Sequence, residues 1–439
     1  MMRRYKGAEM VYKKKLATLM FVVFLFCAIF TPDFFPFSMR YLVIIICAIG
    51  IGWKWIRTRK AILDKRFLSI FIGFIPFIIW LVVSQILHMV WDGANSSIYL
   101  NTLLHTLEVF LAGFLIGLFL IYVCEDNRFD LNDILSMIIA VTLLQFVCVI
   151  LALLFPGVRE FFNSFIIKNS YSERLAQLAL ASSSGRIDRS YGLSNNLFDS
   201  FGFITAVLIC IMFIVGMEKN NNKIRLASML MILMPLVNAR TGLFLALVGM
   251  VVSSFFYLDY RTIAKNMGIV IIGIAAFLLI MSRLPNSMIS WLTSGFQETQ
   301  ALFSRSENIG VYSKIFGSDL VFPSSILLGG GGMPKNLISY GVDNGYINCL
   351  WNFGLIGTLL LLAGYFRMFK LSYSRTRVKM NKVISVVTGI IFFLYLFKVY
   401  SIDNFGGIVL VYGIISVILT RGNVENRAKY KIVSRKEKR

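Results

Sequence analysis

Long apolar runs alternate with short polar tracts along the whole chain. Twelve runs stand out: Leu16–Phe30, Met39–Ile51, Phe67–Leu87, Leu103–Cys124, Ile134–Phe155, Leu197–Met217, Leu226–Val237, Leu243–Leu258, Met267–Met281, Gly345–Phe366, Val383–Val399 and Gly406–Thr420. Most approach the ~20 residues a helix needs to cross a bilayer's hydrocarbon core, where a chain must satisfy its backbone polar groups internally. The pattern predicts an all-α, polytopic integral membrane protein of about twelve transmembrane helices, a single membrane domain over residues 1–439. The seventh run is short, and Pro235 within it predicts a kink. A polar loop without lysine or arginine is expected over His88–Asn101. Two polar connections are much longer, residues 156–196 and 282–344. Within the first, Glu160–Leu180 carries apolar residues at partly helical spacing, which suits a segment lying along the interface. The expected spans are nearly free of charge, with Lys398 an exception.

Composition agrees with this pattern: 57% of residues are hydrophobic and 15% charged, and the mean hydropathy is +0.75. An ordinary water-soluble domain carries more charge and shorter apolar runs. A net charge of +22 would suit nucleic acid, but its distribution excludes that partner. Most of the 44 lysines and arginines fall in tracts between runs and in the tails 1–15 and 421–439. This is the positive-inside pattern, with membrane lipids supplying the counter-charge. It places both tails in the cytoplasm and both long loops on the outer face. The first run has no small-residue cleavage site, so it is expected to remain a span and not act as a signal peptide. The six cysteines lie mostly within apolar runs, without paired spacing, and read as small apolar residues. No clustering of His, Asp or Glu suggests a metal, and no cofactor is implied.

The candidate chemistry lies in arginines that the sidedness rule disfavours. Arg159, Arg174, Arg186, Arg189, Arg240, Arg283 and Arg305 all fall outside. Guanidinium groups offer planar, bidentate donors to phosphate and diphosphate oxygens. Pairing with Glu160, Glu173, Asp188, Glu298 and Glu307 would account for them equally well. Arg240 stands between two apolar runs, where an ionisable residue marks a functional site unless it snorkels to the headgroups. The stretch Leu328–Gly332 has four glycines, which suit either an anion cradle of backbone N–H groups or a plain flexible loop. Asp343 precedes a span and can serve as a base toward a sugar hydroxyl or as a helix N-cap. Gly354 and Gly357 read as helix-packing positions. His88 and His105 flank the small loop and read as interfacial residues within reach of the site.

Taken in order, these motifs resemble the O-antigen polymerase (Wzy) family of the O-antigen polymerase and ligase superfamily. The resemblance rests on Arg189-Ser190-Tyr191-Gly192-Leu193-Ser194-Asn195-Asn196 and the turn Ala239-Arg240-Thr241-Gly242. It continues through Leu328-Gly329-Gly330-Gly331-Gly332, then Asp343-Asn344-Gly345-Tyr346 and Gly354-Leu355-Ile356-Gly357. It implies a GT-C-like, metal-independent glycosyltransferase without cofactor, on the outer face of the bacterial inner membrane. Such an enzyme moves a growing glycan from undecaprenyl diphosphate onto an incoming undecaprenyl-diphosphate-linked repeat unit. Asp343, Arg240 and Arg189 would be catalytic. Arg186, Arg189, Arg240, Arg305, Arg174, Asn196, Lys335 and Tyr346 would bind the diphosphate and glycan. A chain-length regulator protein is an implied partner. The related ligases carry His where this chain has Asp343, which favours polymerase. An O-antigen ligase-type glycosyltransferase and a flippase of lipid-linked oligosaccharide are the alternatives. A flippase would have short loops and charges inside its spans.

Overall fold

The computed structural model describes residues 2–32, 38–58, 65–92, 95–164, 191–196, 198–257, 322–332, 344–398 and 405–421, and these are all-helical, without strands. The helices are α1 (Met2–Phe30), α2 (Met39–Thr58), α3 (Lys65–Ile72), α4 (Ile75–Trp91), α5 (Ser96–Asp126), α6 (Leu131–Leu154) and α7 (Pro156–Asn163). After residues 165–190 come α8 (Phe198–Glu218), α9 (Asn222–Leu230), α10 (Leu233–Asn238) and α11 (Arg240–Phe256). After residues 322–332 come α12 (Gly345–Arg375), α13 (Lys379–Tyr395) and α14 (Phe405–Arg421). Among the described residues six stretches are long and apolar enough to cross a membrane: Met39–Thr58, Lys65–Trp91, Ser96–Asp126, Leu131–Leu154, Asp199–Glu218 and Gly345–Arg375. Thr241–Phe256 and Phe405–Arg421 are shorter apolar helices. The chain is a helical membrane protein. The expected span Met267–Met281 lies outside the described residues, as do most of both long loops.

Helices overrun the apolar runs that announced them. Helix α1 begins at Met2, within the basic tail, and α12 continues through its basic tract to Arg375. The loop expected over His88–Asn101 shrinks to residues 92–95, because α4 runs to Trp91 and α5 starts at Ser96. A helix bonds its own backbone, so it needs no lipid to continue, and Lys, Arg and Gln are good helix formers. The amphipathic segment expected over Glu160–Leu180 begins earlier, as α7, which buries Phe162 and exposes Phe161; its remainder is outside the described residues.

Two prolines set two breaks. Pro235 has no N–H, and its ring excludes the carbonyl of Met231 four residues upstream. Helix α9 accordingly ends at Leu230 and α10 starts at Leu233. Pro76 acts the same way on Ile72, where α3 stops before the Gly73-Phe74 turn and α4. The first break is the kink Pro235 predicts. The second lies inside a run that reads as one uninterrupted span.

Helices α8 and α14 form the centre. Both are apolar on every side, the pattern of a helix with no solvent or lipid face, and every described side chain from Phe201 to Met217 and from Phe405 to Thr420 is buried. Gly113 and Gly117 of α5 let α14 approach closely, meeting Tyr412 and Ser416. The outer helices show the reverse of a soluble protein: Trp53, Ile56, Ile79, Val90, Phe244, Phe255 and Leu359 are exposed. Such a surface suits acyl chains.

The bundle has two chemically different ends. At one, Lys14 pairs with Asp133 at 3.0 Å, Lys54 with Glu125 at 3.1 Å and Asp126 at 3.0 Å, and Arg421 with Glu125 at 3.8 Å. These pairs are partly exposed, each contributing about 1 kcal/mol or less, so they register helix ends more than they stabilise them. The other end carries residues 191–196, residues 322–332 and the starts of α8, α11, α12 and α14. Among the described residues Arg40, Arg159, Arg240 and Lys398 are its Lys and Arg.

Candidate functional site

The candidate site is built at the second end. Tyr191–Asn196, the described part of the arginine-bearing stretch, lies across the end of α1 and the side of α6. The last carbonyls of a helix lack intrahelical donors. Those of α1 receive them from the paired asparagines: the Asn195 N–H donates to the Phe30 carbonyl at 2.9 Å, and Asn196 Nδ2 to the Ile29 carbonyl at 2.9 Å. Ser194 Oγ accepts from the Asn196 N–H at 3.1 Å. On α6 the fully buried Gln145 donates Nε2 to the Tyr191 carbonyl at 2.6 Å. Gly192 has φ +57, and a Cβ there would come within 3.1 Å of Cys148, Gln145 and Val149, so any side chain at the position would be both strained and crowded. The Gly-x-x-Asn-Asn half of the motif is thus an anchor that fixes residues 191–196 on α1 and α6.

Helix α11 brings the second motif to the same place. It runs parallel to α8: Gly242 packs backbone to backbone on Gly202, Cys210 Sγ donates to the Ala246 carbonyl at 3.5 Å, and the Tyr257 hydroxyl donates to Glu218 at 2.8 Å. The chain therefore returns through α9 and α10 and reverses at Asn238–Arg240. The glycine of the Arg-Thr-Gly turn is a packing requirement, since a Cβ at Gly242 would overlap the Gly202 backbone. The Arg240 backbone begins α11 two residues from that contact, while Asn196 stands six residues before Gly202 in sequence.

The glycine-rich segment is held by the bundle, its Gly329 and Gly330 N–H groups donating to the Ser325 and Trp351 carbonyls. It is wedged into a break in α12, where Gly354 has φ 68 and ψ 179. The break frees backbone groups that must find partners inside the bundle. Leu355 N–H donates to the Ile326 carbonyl and Gly330 N–H to the Trp351 carbonyl, both at 2.8 Å. Gln85 Nε2 donates to the Asn352 carbonyl and Trp80 Nε1 to the Phe353 carbonyl, both at 2.9 Å. Gly331 (φ +70) fits against the Tyr99 and His88 rings, and Gly332 against Ile98 and Thr102 of α5. His88, read as interfacial, has Nε2 3.4 Å from the Leu328 carbonyl. Gly357 packs on Trp80 and Phe353, as expected of a packing glycine, whereas Gly354 breaks the helix.

Asn344, not Asp343, caps α12: its Oδ1 accepts from the N–H groups of Tyr346 at 3.0 Å and Ile347 at 3.2 Å. The helix starts one residue later than a cap at Asp343 would require. Tyr346 donates its hydroxyl to the Phe393 carbonyl at 2.9 Å, and its ring meets Phe397, so it ties α12 to the end of α13. Asp343, Arg174, Arg186, Arg189, Arg305, Lys335 and the Arg240 side chain lie outside the described residues.

Asn196→Ala is expected to cost about 1–3 kcal/mol, the penalty of leaving the Ile29 carbonyl without its donor. Asn196→Asp should cost more, because a carboxylate cannot donate and faces a carbonyl oxygen. Thermal unfolding in detergent reads both. Equal melting temperatures for wild type and Asn196→Asp would refute the capping role.

The sequence pattern missed one polar group. Arg40, second residue of α2, pairs with Glu108 of α5 at 2.8 Å, and His105 Nδ1 lies 3.7 Å from the same carboxylate. Both charges fall inside expected spans and join Lys398 among the exceptions; the available signal was a Glu within the Leu103–Cys124 run. Arg40 also lies over the Phe405 ring at 5.4 Å, and Gly406 beside it contacts Ile29 and Asn196. Neither a protein-family model nor a curated protein matches the sequence.

Proposed function

We propose that the protein is a polysaccharide polymerase with about twelve spans and a GT-C-like architecture. It transfers a growing glycan from undecaprenyl diphosphate onto an incoming undecaprenyl-diphosphate-linked repeat unit. The bundle end that carries the two motif loops would be the outer face of a bacterial inner membrane, with both termini cytoplasmic and a chain-length regulator as partner. One observation carries this reading: the Gly202–Gly242 contact sets the Arg240 turn beside the anchored Tyr191–Asn196 segment. Two arginine-bearing motifs distant in sequence therefore start from adjacent helix ends. Diphosphate is the leaving group, and guanidinium donors fixed where its charge develops lower the barrier without a metal. Asp343 is the base that the sequence offers.

The experiment supplies lipid-linked repeat units to purified protein in detergent. Extension of the glycan is the expected result, and none from folded protein would refute the reading. A flippase is the second reading, favoured by the Arg40–Glu108 pair inside the bundle. Flipping has no product in detergent, so extension there excludes it as the sole activity. Transfer to an acceptor without undecaprenyl would instead indicate a ligase.

A further inference from the structure

Arg40, Glu108 and His105 form a charged cluster in the outer part of the apolar run of α5. His105 follows Leu103 by about 3 Å along the helix and Glu108 by about 7.5 Å, at 1.5 Å per residue. Ionisable groups at such depth are costly and mark functional sites by default. If the pair only held α2 against α5, apolar side chains would do so at least as well, because an ion pair must first be desolvated. Arg40 Nε is also buried, with no hydrogen-bond partner among the described residues.

The cluster's position is its second distinguishing feature. One turn toward the loop end of α5 from His105 is Thr102, against which Gly332 packs. One turn the other way is Glu108, whose partner Arg40 lies over Phe405, adjoining the Gly406–Asn196 contact. His105 thus stands between the glycine segment of the second loop and the anchored end of the first. Its Nδ1 faces a carboxylate that Arg40 fixes in place. A carboxylate at ion-pair distance from the ring stabilises the imidazolium and so favours uptake of a proton.

We propose that His105 is the proton acceptor of the transfer reaction, in the place the sequence offers to Asp343, with Glu108 and Arg40 as positioning residues. This rests on the polymerase reading. The acceptor hydroxyl oxygen bonds to the donor's anomeric carbon. The bond from that carbon to the diphosphate oxygen breaks, its electron pair leaving on the diphosphate. The hydroxyl proton passes to His105. Among the described residues the titratable or charged groups facing His105 and its carboxylate include Glu108 and Arg40, with the Tyr41 phenol behind Arg40.

The test is the pH–rate profile of glycan extension by full-length protein in detergent. Wild type should lose rate toward acid pH as the acceptor becomes protonated. His105→Gln should lower turnover roughly 10²-fold or more and flatten that acid limb, and imidazole added to His105→Gly should restore part of the rate. Glu108→Gln should lower kcat with little change in KM. An acid limb that survives in His105→Gln but vanishes in Asp343→Asn overturns the assignment, as does failure of imidazole to rescue a folded His105→Gly. No extension by wild type removes the polymerase reading and this inference with it.

Discussion

Arg189→Ala and Arg240→Ala should each lower glycan extension by roughly 10²–10³-fold, the loss that follows removal of one donor to a developing anion. Membrane insertion and melting temperature should stay at the wild-type values. The separation of effects follows from where the fold obtains its order. Around Arg240 it comes from Gly242 on Gly202 and from Asn238, whose side chain donates to the Met234 carbonyl at 2.9 Å. Around Arg189 it comes from Gln145, Gly192 and the two asparagines on α1. Those bonds join other residues, so they stand when either guanidinium is removed. Arg→Lys at either position should recover only part of the rate, because an ammonium keeps the charge and loses the bidentate fork. Long polymer from either alanine variant sinks the assignment of these residues to the diphosphate.

The membrane class and most helix positions were legible because lipid imposes one strong rule, an apolar helix of sufficient length, and that rule reads directly from hydropathy. Helix ends were less legible. The rule concerns only the hydrocarbon core, and Met2–Lys15 of α1 and Arg367–Arg375 of α12 continue the helix beyond it. Proline breaks were readable in principle at Pro76 as at Pro235, four residues upstream in each case.

The site was legible in one respect and not in another. The residues that matter for geometry, Gly192, Asn195, Asn196 and Gly242, appear in the motifs, but a motif does not say which of its members touch substrate and which hold backbone. Asn196 and Tyr346 were expected on substrate, and each spends a donor on a carbonyl of a neighbouring helix. The Arg40–Glu108 pair was invisible for a different reason: its members lie 68 residues apart, and only the packing of α2 on α5 joins them.

Gly354→Val should be the most damaging single substitution at the loop end, leaving little folded protein to assay. At φ 68 and ψ 179 the backbone occupies a region essentially restricted to glycine. A Cβ there would overlap the Leu327 carbonyl oxygen and the Leu328 carbonyl carbon. Relieving the overlap means withdrawing the 322–332 segment, which strips partners from Leu355 N–H and the Trp351 carbonyl together. Unsatisfied backbone groups away from water cost several kcal/mol each, comparable in sum with the whole stability of many proteins. Trp80→Phe provides the graded comparison: it removes one donor, to the Phe353 carbonyl, and should cost about 1–3 kcal/mol. Size-exclusion profile and thermal unfolding in detergent check both. A monodisperse Gly354→Val protein melting at the wild-type temperature would mean that α12 can run straight through and that the glycine segment does not depend on the break.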